Sequence, residues 1–395
     1  MTETRVSAPT CPLPIRAITL SYYACFVALG LTLAALGPTL PGLAEQTGSS
    51  LSAISILFTA RSLGYLLGSY RGGRLFDRLP GHPVAAAAVL SMALAMAMVP
   101  LMPYLWLLVA VMLVLGASEG TMDVGLNTLL VWIHRANLGP YMNALHFFFG
   151  VGALVSPIVV AQALARSEDI AAAYWILGAL LVPAAIWLAR LPSPPIESAD
   201  AGAETRHSRP LVVGLAACFF LGVGGEVAFG GWIYTYAITL DLADGTGAAY
   251  LTSVFWASFT LGRLIAIPLS ARIGPLRILA FNLAGGALSV ALILCWPGSS
   301  AVLWLGAAGV GMSIAPVFAS LLTLAERHMA ITGRVTGWFF VGSSAGAMFL
   351  PWLVGQFFES VGPIVTMGII LVDLIVALAL LAALILFMRR RVHSA

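Results

Sequence analysis

Lysine is absent from this chain of 395 residues, so all 19 basic side chains are arginine. Charge of either sign is scarce, at 9% of residues against roughly a quarter in soluble domains. The net charge of +3 is small and scattered, which argues against a nucleic-acid partner. The four cysteines, Cys11, Cys25, Cys218 and Cys295, are far apart and form no C-x-x-C pair, so neither a disulfide framework nor a metal site is expected. No G-x-x-x-x-G-K-[ST] run is present, which excludes a P-loop driven by ATP, and neither an enzyme nor a bound cofactor is expected.

What remains is apolar: 60% of residues are hydrophobic. Soluble cores seldom grow beyond about 250–300 residues, so the solvent for most of this chain is lipid. A helix needs roughly 20 apolar residues to cross the hydrocarbon. Such segments are predicted at Ala17–Leu40, Leu51–Gly73, Val84–Met102, Leu105–Ile133, Tyr141–Leu164, Ala171–Leu191, Leu211–Leu240, Ala248–Ser270, Leu276–Trp296, Ala301–Leu324, Val335–Phe358 and Ile364–Met388. The run after the polar start MTETRVSAPTCPLP is too long for a signal peptide and reads as the first span.

Arginine placement tests the count, because positive charge gathers in cytoplasmic loops. With both termini inside, Arg5, Arg16, Arg71, Arg74, Arg78, Arg135, Arg190, Arg206, Arg209, Arg272, Arg277, Arg327, Arg334, Arg389, Arg390 and Arg391 fall on the cytoplasmic side, and Arg166 alone lies outside. Arg61 and Arg263 fall within spans. The fold class is therefore all-α, a membrane protein of twelve spans in two pseudo-symmetric six-helix bundles. The bundles are assigned to residues 1–191 and 210–395, joined by a cytoplasmic linker at 192–209 rich in Pro, Ser and charge. LGYLLGSYRGGR from Leu63 and LGRLIAIPLSAR from Leu261 match at Leu, Gly, Leu and Arg with an offset of 198 residues, close to half the chain. Repeated halves around a central site are a transporter architecture.

Ionisable groups inside a span cost at least about 2.5–3.5 kcal/mol each on insertion scales, so they are site candidates. Glu119, Asp123 and Asn127 recur every fourth residue on the fourth span, on one stripe and about 6 Å apart. Arg61 on the second span lies at a similar depth and is expected to neutralise Glu119. Asp123 is then the ion-coupling group that exchanges a proton or binds sodium; the alternative is a static network holding the two helices together. Asn127, Asn143 and His146 are candidate substrate contacts near the cytoplasmic ends of the fourth and fifth spans. On the seventh, the glycines around Glu226 are expected to weaken the regular helix. Glu226 can accept bonds from hydroxyl groups, and Trp232 and, on the eighth span, Trp256 offer flat faces for a sugar ring. Trp232 also fits an interfacial aromatic belt. Asp373 in the last span is expected to be scaffold or lipid-facing.

The loop GRLFDRLPGH carries Gly73, Arg74, Asp77 and Arg78 and resembles the G-x-x-x-D-R-x-x-G gating signature of the major facilitator superfamily. The second copy has Pro275 in place of Asp77, which predicts a weak latch in the second half. RSLGYLLGS, MDVGLNTLLVW, GPYMNALHFFFGVGALVSP, EVAFGGWIYTYA and SVFWASFTLGRL are similar to the sodium-dependent glucose transporter 1 family, grouped with the fucose:proton symporters. An acid four residues before an asparagine is the proton-coupling carboxylate of those symporters, and the resemblance places that role on Asp123. They also carry an acid on the first span, which here has none before Glu45, so a second carboxylate would have to be Glu119 or Glu226. The expected function is cation-coupled symport, with proton or sodium, of a hexose or similar polar solute. Proton-coupled efflux of drugs or lipophilic compounds is the alternative, and an uncoupled receptor or scramblase a third. A monomer in contact with membrane lipid is expected, and the arginine-only, Ala- and Gly-rich composition points to a bacterial cytoplasmic membrane.

Overall fold

The computed structural model describes residues 14–135, 138–167, 169–196, 209–329 and 333–393, without the side chains of 333, 334 and 389–393. Arg5, Cys11, Arg206 and most of the expected linker lie outside the described residues. Among the described residues twelve helices are long and apolar enough to cross a membrane. Numbered in chain order as spans 1 to 12, they are Ile15–Leu33, Leu51–Phe76, Gly81–Leu101, Leu105–His134, Leu138–Ser167, Ala171–Ala189, Arg209–Thr239, Gly245–Ser270, Pro275–Cys295, Ser300–His328, Val335–Val361 and Ile364–Met388.

Three spans are broken: span 2 at Ser55, between Leu51–Ile54 and Ile56–Phe76, and two others beside a proline. The helix of span 1 stops at Leu33 and resumes as Leu36–Thr47. A proline ring collides with the carbonyl four residues earlier, and for Pro38 that residue is Ala34, at the break. Span 10 divides into Ser300–Ile314 and Val317–His328 around Pro316, which has no N–H to continue the ladder. The expectation that glycines weaken span 7 is corrected: Arg209–Thr239 is one continuous helix. Its glycines admit neighbours instead. A side chain at Gly224 would meet the Gly346 carbonyl of span 11 at 2.9 Å, and such close packing offsets the helix penalty of about 0.8–1.0 kcal/mol per glycine.

The packing partners repeat with a shift of six spans. Span 1 packs on span 5, span 2 on span 4 and span 3 on span 6, while span 7 packs on span 11, span 8 on span 10 and span 9 on span 12. Spans 5 and 8, 2 and 11, and the second helix of span 1 with span 7 join the two bundles. Large apolar side chains such as Leu94, Trp106, Phe281, Leu288 and Leu305 stand on the outside. In water such a surface would aggregate, and in a bilayer it is the lipid face.

Candidate functional site

The site begins with how closely spans 2 and 4 approach. A Cβ at Gly64 would strike the Leu113 carbonyl and one at Gly68 the Ala117 carbonyl, while Gly116 and Gly120 meet the carbonyls of Arg61 and Tyr65 in return. Small residues every fourth position let two backbones touch where the hydrophobic effect cannot drive association. That contact sets the polar side chains face to face. Arg61 Nε donates to Glu119 Oε2 at 2.9 Å and Nη2 pairs with Oε1, while Nη1 donates to the Leu33 carbonyl at 3.0 Å. Glu119 is 2% exposed and Arg61 8%, so the charges neutralise one another away from water. One turn further, Tyr65 Oη donates to Asp123 Oδ2 and Asn127 Nδ2 donates to Oδ1 at 2.8 Å. Among the described residues Asp123 therefore has two hydrogen-bond donors but no salt bridge.

A cavity of about 470 Å³ opens beside this ladder, lined by both bundles. Arg61, Glu119, Asp123, Asn127 and His146 reach it from the first, and Glu226 and Trp256 from the second. Arg263 also lines it, lying over the rings of Phe259 at 4.6 Å and Phe149 at 5.9 Å from their centroids. Among the described residues neither Glu226 nor Arg263 forms a salt bridge. The walls thus hold a neutralised pair, a hydrogen-bonded carboxylate, a bare carboxylate and a bare guanidinium, amid Phe26, Phe58 and other apolar side chains. Such a lining suits a solute with hydroxyl groups and one apolar face.

One end of the cavity is shut by contacts between bundles. The Leu51 amide donates to Glu359 Oε1 at 2.9 Å, Ser52 Oγ to Gln356 Oε1 at 3.0 Å, and Gln162 Nε2 to Tyr250 Oη at 2.5 Å. Toward the opposite end the lining extends to Thr128, His146 and Phe340.

Two expected substrate contacts lie elsewhere. Trp232 is fully buried in the shut end, donating to the Pro351 carbonyl at 2.9 Å and packing between Phe58 and Phe358, so it holds bundles together and does not line the cavity. Asn143 is exposed and outside the lining. In the gating loop Arg74 Nη2 bonds to Tyr70 Oη at 2.6 Å, and the Asp77 carboxylate has no hydrogen bond among the described residues. Tyr65 is not among the expected site residues, and Arg263 is expected only as a charge within a span. The repeat could have found them together, because the offset of 198 superposes Tyr65 of LGYLLG on Arg263 of LGRLIA.

Residues 22–351 match the family Major Facilitator Superfamily. The chain is 28% identical to sodium-dependent glucose transporter 1A of Mus musculus, covering 84% of this chain and 88% of that protein. It is 32% identical to sodium-dependent glucose transporter 1 of Xenopus laevis, over 82% and 72%. Identity to major facilitator superfamily domain-containing protein 4A of Danio rerio is 29%, over 87% and 83%. Among solved structures, the nucleoside transporter NupG superposes with a TM-score of 0.72 at 15% identity, covering 95% of this chain and 98% of that one.

Proposed function

Because the chain belongs to the major facilitator superfamily of transporters, we propose that it is a secondary active symporter coupling a proton or sodium to uptake of a hexose or similar polar solute. The observation that carries this reading is Asp123: a carboxylate on the cavity wall, freed from Arg61 because Glu119 occupies it. A small cation or proton arriving at Asp123 changes the charge of the wall that the solute meets, which is the differential interaction that coupling needs. The names of the sodium-dependent glucose transporter relatives support a sugar, as does the mixture of acids, Asn127 and the Trp256 ring around the cavity.

The working cycle follows from two bundles, 1–191 and 210–395, rocking about the cavity, with 192–209 as their linker. With both termini cytoplasmic, as the arginine distribution supports, the shut end faces outward and the cavity is open inward. Closing the inner end would bring Asp77 and its neighbours Arg74 and Arg78 against span 11, engaging the latch. The arginine-only composition supports placement in a bacterial cytoplasmic membrane. The test is counterflow in proteoliposomes with a panel of labelled hexoses, repeated under imposed proton and sodium gradients. The reading requires accumulation of at least one hexose driven by one gradient. Export of lipophilic compounds without sugar movement would replace it with an efflux pump.

A further inference from the structure

Span 12 carries an acid that the central cavity does not use. Asp373 is 4% exposed, and among the described residues neither carboxyl oxygen has a hydrogen-bond partner. It faces the interior, not lipid, on the same side of its helix as Ile370, Leu374 and Ala377. The neighbouring helices are spans 7, 9 and 11. Span 7 offers Glu226, which faces the cavity; the Arg277 and Cys295 of span 9 and the Glu359 of span 11 lie toward the ends of their helices. No cation forms a salt bridge with Asp373 among the described residues. An ionised carboxylate so placed would be uncompensated, and buried groups of this kind neutralise instead.

Its position is specific. Oδ2 lies 2.7 Å from where a Cβ of Gly225 would stand, so the acid occupies the space of the missing side chain. The next residue, Glu226, is on the cavity wall. The backbone of span 7 at this point has the cavity on one side and Asp373 on another, and its glycine leaves no side chain between backbone and acid.

We propose that Asp373 is a second proton-binding site, outside the central cavity, which holds its proton while spans 7 and 12 are packed as here and exchanges it when span 7 moves and admits water past Gly225. No oxidant or leaving group is involved: the O–H bond of the acid breaks and the proton passes to water.

The test is infrared spectroscopy of the full chain in lipid nanodiscs at neutral pH, in H2O and D2O. Asp123→Asn/Glu226→Gln removes the two cavity acids not held by arginine, and in that variant a protonated carboxylic C=O stretch is expected to remain. Adding Asp373→Asn should abolish it. A band that survives Asp373→Asn, or that is absent before it, overturns the site. Should Asp373→Asn fail to fold, Gly225→Ala in the same background gives the second reading: a methyl pressed against Oδ2 should shift the band, and an unmoved band counts against the assignment. Exchange is tested with Ser52→Cys/Gln356→Cys joined by a short bifunctional thiol crosslinker, which holds the shut end closed. Crosslinking should slow the D2O downshift of the band, and equal rates in crosslinked and uncrosslinked protein refute exchange through span 7 motion. No sugar is needed for these readouts, so failure of sugar transport and failure of the proton site are separate results.

Discussion

Arg61 grips Glu119 at two points, and the next acid along the stripe, Asp123, is left to Tyr65 and Asn127. Two carboxylates one turn apart on one helix are thereby given different work. The first is neutralised by a guanidinium and anchored through it to the Leu33 carbonyl at the break in span 1. The second carries hydrogen bonds that favour a charge without cancelling it.

Removing half of the buried pair should be costly. Arg61→Ala leaves Glu119 uncompensated, and breaking such a pair costs about 3–5 kcal/mol. A thermal-unfolding series in detergent should show Arg61→Ala well below wild type, with Arg61→Met/Glu119→Leu recovering much of the loss. If the double variant were no better than Arg61→Ala alone, the pair would not be the cause.

The close contact of spans 2 and 4 makes a second prediction. Gly116→Val would drive a branched side chain into the Arg61 carbonyl, so the helices must separate and the pair must lengthen. Overpacking typically costs about 1–3 kcal/mol. Lower thermal stability together with weakened sugar counterflow is expected. Wild-type behaviour in both would show that the approach is not required.

The two tryptophans should divide by readout. Trp232→Ala removes a fully buried ring from the shut end and should destabilise the fold by about 3–5 kcal/mol. Trp256→Phe, on the cavity wall, should alter the KM for sugar with little change in melting temperature. A selectivity change in Trp232→Phe with an unchanged Trp256→Phe would reverse the assignment.

Much of this is legible in the sequence, for identifiable reasons. Twelve spans follow from apolar length, and the pairing of Arg61 with Glu119 follows from counting residues from the helix ends, because both quantities are one-dimensional. The direction a side chain faces is not. Trp232 and Glu226 share span 7, and only the packing of Phe58 and Phe358 against the indole separates a buried residue between the bundles from one on the cavity wall. Asp373 reads from sequence as scaffold or lipid-facing, and its interior placement depends on the vacancy at Gly225, which belongs to a different helix. Tyr65 has no signature of its own inside a span; the repeat that sets it opposite Arg263 is the sequence signal that marks it, and its bond to Asp123 emerges only from the packing of spans 2 and 4. The Pro38 break is readable in principle but is masked by the unbroken apolar run around it.

The most direct measurement compares Asp123→Asn with wild type in proteoliposomes, using a hexose that wild type transports and recording both exchange and gradient-driven accumulation. Asparagine keeps the shape and can still accept from Asn127 Nδ2, with its own amide N–H donating to Tyr65 Oη in place of the bond that Asp123 Oδ2 accepts, but it cannot carry a negative charge. Counterflow should persist while accumulation under the proton or sodium gradient is lost. Undiminished accumulation in a folded Asp123→Asn protein would contradict the coupling role of this carboxylate.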